Sequence, residues 1–178
     1  EVYKDQGYAY VNLVPNTRVD DEKKVVSLTI DIDKGRKIRI GQIRIIGNDR
    51  TRDKVIRREM RIYEGEYFSS SGLKRSERLI NRLGFFERGG VAIRTMRGTV
   101  DGTMDVVVQV KEKSTGTFQV GAGFSTLESF VAQAQIAQNN LFGRGQSLSF
   151  QAQLSSLRSI ANIRFADDYF LDSRVRFA

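Results

Sequence analysis

The chain has no cysteine, no histidine and no tryptophan, and a single proline among its 178 residues. Without cysteine there is no disulfide and no thiolate chemistry, and the redox compartment stays open. With neither histidine nor cysteine, a structural zinc site and a Ser-His triad are both excluded. No run approaches the ~18 apolar residues that a membrane-crossing helix needs, so no such helix is expected. The first residues, EVYKDQGYAY, contain no apolar h-region, and no signal peptide is expected in them. Phosphate loops are missing too: Gly121-Ala122-Gly123 and Gly143-Arg144-Gly145 are bare GxG, with no third glycine. The acidic groups Asp20-Asp21-Glu22 and Asp167-Asp168 fall in expected turns with neither pocket nor partner, so they read as solvated rather than as acid and base. Neither catalysis nor a cofactor nor a metal site is expected.

What the chain does have is charge, unevenly spread. Its length suits one large or two small domains, and its net charge is +8. Residues 1–113 hold 24 Lys and Arg and 17 Asp and Glu, whereas residues 114–178 hold five and four. Beyond residue 113, Gln, Ser, Asn, Ala and Gly take the place of charge. Neither side is low-complexity, so the shift marks a change of environment rather than a linker.

Residues 8–14, YAYVNLV, alternate and stop at the turn signal Pro15-Asn16. KVVSLTIDID (24–33) alternates again, with Val26, Leu28, Ile30 and Ile32 on one face, so the pair reads as a hairpin. Glu1 to Gln6, ending at Gly7, reads as the last turn of a helix. In RKIRIGQIRIIG (36–47) the apolar parity switches around Gly41, which predicts a bulge. Thr51 is the expected N-cap of a helix with Val55, Ile56 and Met60 as its stripe. Ser69 to Ser71 cap a second helix carrying Leu73, Leu79, Ile80 and Leu83 and ending at Gly84. Strands are expected over 85–96 and 102–113. The order strand, helix, helix, strand, strand gives an α/β layer with helices on one face of a three-stranded sheet. Residues 1–34 match the tail of the same plan and read as the last half of a preceding copy in a repeat array.

From Thr115 the period is two. Phe118, Val120, Ala122 and Phe124 oppose Gln119, Gly121, Gly123 and Ser125. Phe130, Ala132, Ala134 and Ile136 oppose Gln133 and Gln135; Leu148, Phe150, Ala152 and Leu154 oppose Ser149, Gln151, Gln153 and Ser155. A weaker fourth strand carries Ala161, Ile163 and Phe165. Strands of about 9–11 residues, apolar on one side and polar but uncharged on the other, suit a tilted transmembrane β-strand. A soluble sandwich alternates as well, although its wet face normally carries Lys and Glu. About four strands fit here, and the smallest membrane barrels need about eight, so this segment cannot close alone.

IRIIGNDRTRDKVIRREMRIYEGEYFS, RLINRLGFFE and VVVQVKEKSTGTFQVGAGFST resemble the last POTRA domain and first barrel strand of BamA-type outer-membrane β-barrel assembly factors. NNLFGRGQ (139–146) and ADDYFLDSRV (166–175) resemble the first two periplasmic turns of that barrel. The resemblance implies an α+β chain. Residues 1–34 would be the C-terminal part of a preceding POTRA, 35–113 the last POTRA (β-α-α-β-β, a three-stranded mixed sheet with two helices), and 114–178 the N-terminal strands of an incomplete outer-membrane barrel. It also implies a place in the outer membrane with the POTRA part in the periplasm. The expected role is folding and inserting β-barrel proteins. Two-partner secretion and translocation-and-assembly transporters of the same superfamily stay open as alternatives, though EGEYF and NNLFGRGQ favour the BamA type.

Several residues gain expected roles from that resemblance. In the first turn, Gly143 and Gly145 supply positive φ, Asn139 and Asn140 bond locally, and Leu141 and Phe142 sit in the interfacial layer. Unfolded outer-membrane proteins are expected to add as a strand to 85–96, through Gly89, Gly90, Val91 and Ile93, with Gly89-Gly90 a bulge that limits unwanted pairing. Arg57 and Glu64 are expected to dock an accessory lipoprotein of the assembly complex; the competing reading is a solvated helix face. Gly116, Phe118, Gly121 and Gly123 belong to the expected seam strand, 115–126, where glycine favours loose pairing but also permits close packing. The basic charge invites nucleic acid as a competing partner. Its Lys and Arg are interleaved with acids, however, and no aromatic stacking set is evident, so no nucleic acid is expected. Anionic lipid headgroups suit the same charge in a membrane-adjacent chain. The unpaired strands are free to pair mutually, with a second copy as a strand-mediated oligomer, or not at all.

Overall fold

A computed structural model describes residues 1–20, 23–170, 173, 175 and 177. The fold is α+β, with three sheets among the described residues. Strands β1 (Asn12–Asp20) and β2 (Val25–Asp33) form an antiparallel hairpin. Next come β3 (Arg39–Ile46), α1 (Asp53–Arg57), α2 (Ser70–Arg82), β4 (Phe86–Arg97) and β5 (Thr103–Glu112). They give a mixed sheet in the order β3-β5-β4, with β3 parallel to β5. Strands β6 (Gly116–Ser125), β7 (Ser129–Leu141), β8 (Gln146–Ser155) and β9 (Ser159–Ala166) follow as an antiparallel sheet in chain order.

Compactness divides the chain into two units: residues 1–46, 60–79 and 92–109, and residues 47–59, 80–91 and 110–178. In the first, Ile38, Ile40, Ile43, Met60, Ile62, Phe68, Met104, Val106 and Val108 are buried. Each such side chain contributes roughly 1.5–3 kcal/mol by leaving water. The parity switch at Gly41 is a bulge: the β3–β5 register shifts between Ile40 and Ile43, and the freed N–H groups find carboxylates. Gln42 N–H donates to Asp105 Oδ1 (2.9 Å) and Ile43 N–H to Glu64 Oε1 (2.8 Å). The serine cap of α2 is present, with Gly72 N–H donating to Ser69 Oγ at 3.0 Å. Asp5 reinforces it by accepting from Ser71 N–H at 2.7 Å.

Three expectations are corrected. Pro15-Asn16 is no turn: β1 runs through it, and Pro15 pairs with Ile30. In a two-stranded hairpin both strands are edges, where a missing N–H need break no ladder. The chain reverses after Asp20 instead; Asp21 and Glu22, part of the acidic group, lie outside the described residues. The N-terminal segment is a 3-10 turn over Lys4–Gln6, closed as expected by left-handed Gly7. Finally, α1 has only five residues, and its N-cap is Arg52, not Thr51. Thr51 is buried, its N–H donating to Glu112 Oε1 (2.7 Å) and its hydroxyl accepting from Asn140 Nδ2 (2.8 Å). A tertiary partner has taken the oxygen that would have capped the helix.

In the second unit Val55, Ile56, Ile80, Phe85, Phe86 and Val91 are buried. Its four-stranded sheet has no such interior. The register lines up like with like: Phe118↔Ile136, Gln119↔Gln135 and Val120↔Ala134, then Gln135↔Gln151 and Ile136↔Phe150. One side is therefore aromatic and aliphatic, the other a row of amides. The apolar side stands open, with Phe118 70%, Val120 70% and Phe124 88% exposed.

Candidate functional site

Two features of the fold can bind something: open strand edges and a clamp built around the first turn. In the three-stranded sheet β3 and β4 are the outer strands. The outer rim of β3 is occupied. Ile40 N–H donates to Glu66 O (2.8 Å), Phe68 N–H to Ile38 O (2.9 Å), and Gly65 N–H to Ile40 O (2.8 Å). Among the described residues no strand pairs with the outer rim of β4, the strand singled out from the sequence. Within it Val91 is buried and Ile93 half-buried, so both also serve the core, while Arg88 and Gly89 are exposed. Gly89 has φ +74°, a value that suits a bulge. In the four-stranded sheet the edges are β6 and β9. On β6, a Cβ at Gly116 or Gly121 would crowd only the flexible ends of Gln138 and Gln133, and one at Gly123 would meet nothing.

Arg57 lies exposed on α1, its Nε donating to Asp53 at 3.0 Å. Glu64 is exposed too, although its carboxylate caps the β3 bulge. The charged stretch around them is only partly a solvated face, since Glu59 and Met60 are buried.

The turn between β7 and β8 is more than a reversal. Positive φ occurs at Asn140, Phe142, Gly143 and Gly145. Asn140 works in two directions: its Oδ1 accepts from Gly145 N–H (2.9 Å), and its Nδ2 reaches Thr51. Arg52 N–H donates to Gly143 O at 3.0 Å, and a Cβ on Gly143 would overlap the Arg50 carbonyl. Glycine is needed there for closeness as well as for φ. Phe142 projects outward, 79% exposed.

The second turn uses the same segment. Tyr169 hydroxyl donates to the buried Glu59 Oε1 at 2.6 Å, and the Arg58 guanidinium lies 3.8 Å from the Tyr169 ring centroid. Asp167 accepts from Gln146 Nε2 (2.8 Å) and from Tyr169 N–H (2.9 Å). Burial pushes its carboxyl up, but those bonds and the Arg58 charge outweigh it and hold it below the usual range. Glu112 behaves likewise: burial raises it, while bonds from Thr51 and Arg50 bring it below the ordinary value. Leu171, Asp172 and Arg174 of the second motif lie outside the described residues.

The sequence reading had Asn140, Gly143 and Gly145 but not their partners Thr51, Arg52, Arg58, Glu59 and Glu112. The one available signal was an unexplained Tyr169 inside the second turn motif. Among the described residues no cluster of acidic side chains is arranged to hold a metal, and no helix is long and apolar enough to cross a membrane.

Residues 38–113 match the POTRA family, described as a surface antigen variable number repeat. The chain is 35% identical to the outer membrane protein assembly factor BamA of Neisseria meningitidis serogroup B, over 92% of its own length and 20% of that protein. It is 33% identical to BamA of Nitratidesulfovibrio vulgaris, over 99% of its length and 22% of that protein. The crystal structure of BamA from Haemophilus ducreyi lacking POTRA domains 1–3 superposes with a TM-score of 0.87 at 28% identity, covering 98% of this chain and 33% of that one. The chain thus spans about a fifth of the curated relatives it matches.

Proposed function

Since this chain is a homologue of BamA-type outer-membrane protein assembly factors, with a POTRA repeat over 38–113, we propose that it forms the part of such a machine that accepts client strands. Residues 1–34 are then the end of a preceding POTRA and 35–113 the last one. Residues 114–178 are the opening strands of a barrel in the outer membrane, with the POTRA part in the periplasm. The observation that carries this reading is the four-stranded sheet. Its apolar side is exposed, its other side carries amides and hydroxyls with Arg164 the charge on β9, and among the described residues its edges are unpaired. Hydrocarbon on one side and water on the other satisfies both without a core.

Unfolded outer-membrane proteins bind by β-augmentation at β4, where main-chain hydrogen bonds give affinity with little sequence preference. The screening of β3 by residues 64–68 supports β4 over the opposite edge. Strand β6, through Gly116, Phe118, Gly121 and Gly123, is the barrel seam at which clients insert. Cysteines placed along 88–96 and 116–125 of the intact protein should crosslink nascent client, and cysteines on β3 should not. Client trapped on β3 alone would remove the assignment.

Arg57 and Glu64 mark the surface for an accessory lipoprotein; charge reversal at either should weaken its co-purification, and unchanged recovery would remove this role. The open edges β6 and β9 also allow two copies of the isolated chain to pair, which light scattering with and without detergent would detect.

A further inference from the structure

On β8 one side carries Leu154, Ala152, Phe150 and Leu148, and two residues further the same row reaches Gln146. On β9 the matching row runs through Ile163 and Phe165 and continues to Asp167. Gln146 and Asp167 bond to each other at 2.8 Å. Where these rows end, a pocket opens that is also lined by Arg52, Lys54, Arg58 and Arg144. Four cationic residues and one carboxylate thus line the pocket, and the carboxylate is already engaged by Gln146 and by Tyr169 N–H. Arg52 and Arg144 are exposed. Aromatic rings accompany them: Tyr169 lies against Arg58, and Phe142 and Phe170 are exposed on the two turns. An apolar row that gives way to amide, aromatic and cation within two residues is the signature of a lipid-facing wall where hydrocarbon meets phosphate.

We propose that this pocket binds the phosphate of an anionic phospholipid headgroup, with the acyl chains lying along Phe165, Leu148 and Phe150. Guanidinium forks match the acceptor oxygens of a phosphodiester, and Lys54 adds a point charge. A free phosphate ion would meet the same groups, but only a lipid also uses the apolar row. The inference rests on the membrane-facing reading of the sheet. It extends that reading by giving the turn–helix junction a ligand that ties it to the bilayer surface.

The test is native mass spectrometry of the intact protein, extracted from vesicles of phosphatidylcholine with or without phosphatidylglycerol. The protein should retain phosphatidylglycerol in preference to phosphatidylcholine. The double variant Arg52→Gln/Arg144→Gln should lose that preference by roughly tenfold. Arg75→Gln/Arg78→Gln on α2 removes the same charge elsewhere and should leave it intact. Equal retention by the protein and the pocket variant overturns the proposal. So does displacement by inorganic phosphate as effective as displacement by added phosphatidylglycerol, which would make this a free-anion site. A nitroxide on Phe150→Cys reports separately on the sheet: if it senses hydrocarbon while lipid preference is absent, only the headgroup site fails. If it senses water, the membrane-facing reading fails with it.

Discussion

Strands β5 and β6 are near neighbours in the chain, ten residues each, and both alternate. Their apolar sides meet opposite fates. Val106 and Val108 of β5 are fully buried, while Phe118, Val120 and Phe124 of β6 stand exposed. The difference is written in the other side of each strand. Between its apolar residues β5 carries Asp105 and Lys111, whereas β6 carries Thr117, Gln119, Gly121 and Gly123. Alternation says that a strand has two environments. In these two strands charge on the polar side accompanies a buried apolar side, and its absence accompanies an exposed one.

That contrast can be broken most forcefully on its buried side. Met104→Ala should cost the α/β part about 3 kcal/mol in urea titration, because Met104 is buried and the change leaves a cavity in the core. A loss as small as that of an exposed site would erase the distinction. On the open side, Val120→Lys should lower the stability of the intact protein in a bilayer by about 2 kcal/mol. The same change should leave urea denaturation of the α/β part within ~0.5 kcal/mol. Equal costs in both measurements would mean that β6 has a protein core after all.

Asn140→Ala tests the clamp that serves neither face. It strips partners from Thr51 Oγ1 and Gly145 N–H, and should cost about 1.5 kcal/mol by thermal denaturation, with Asn140→Asp recovering only the bond to Gly145. Acid should act on the same place. Glu112 and Asp167 have depressed folded-state values, so their stabilisation is complete above the ordinary carboxylate range. It is lost as pH falls through the folded values below that range. Glu112→Gln should flatten the acid side of the stability curve, which a pH series of melting temperatures would reveal. The smallest effect belongs to Arg57→Ala: its pair with Asp53 is exposed and contributes under about 0.5 kcal/mol.

What was legible in the sequence was local or periodic. The faces of β6, β7 and β8, the bulge at Gly41 and the serine cap of α2 each follow from residues within a few positions of one another. Thr51 was misread for the opposite reason. As an N-cap it needed a partner two or three residues away, and its hydroxyl instead serves Asn140, 89 residues further on. Glu59 looked like part of a solvated face, but Tyr169 lies 110 residues beyond it. Pro15-Asn16 reads as a turn because proline usually ends a central strand, and nothing local tells that among the described residues this strand has a single neighbour. The occupied rim of β3 rests on the backbone bonds of residues 65–68, which no side-chain pattern encodes.

The aligned amides of Gln119, Gln135 and Gln151 carry one last consequence. An amide holds no proton to lose and no net sign, so this row offers the same donors and acceptors in dilute or concentrated salt and across the range in which carboxylates change charge. The row therefore keeps its polarity through hydrogen bonding alone, with no ionisable group of its own to gain or lose.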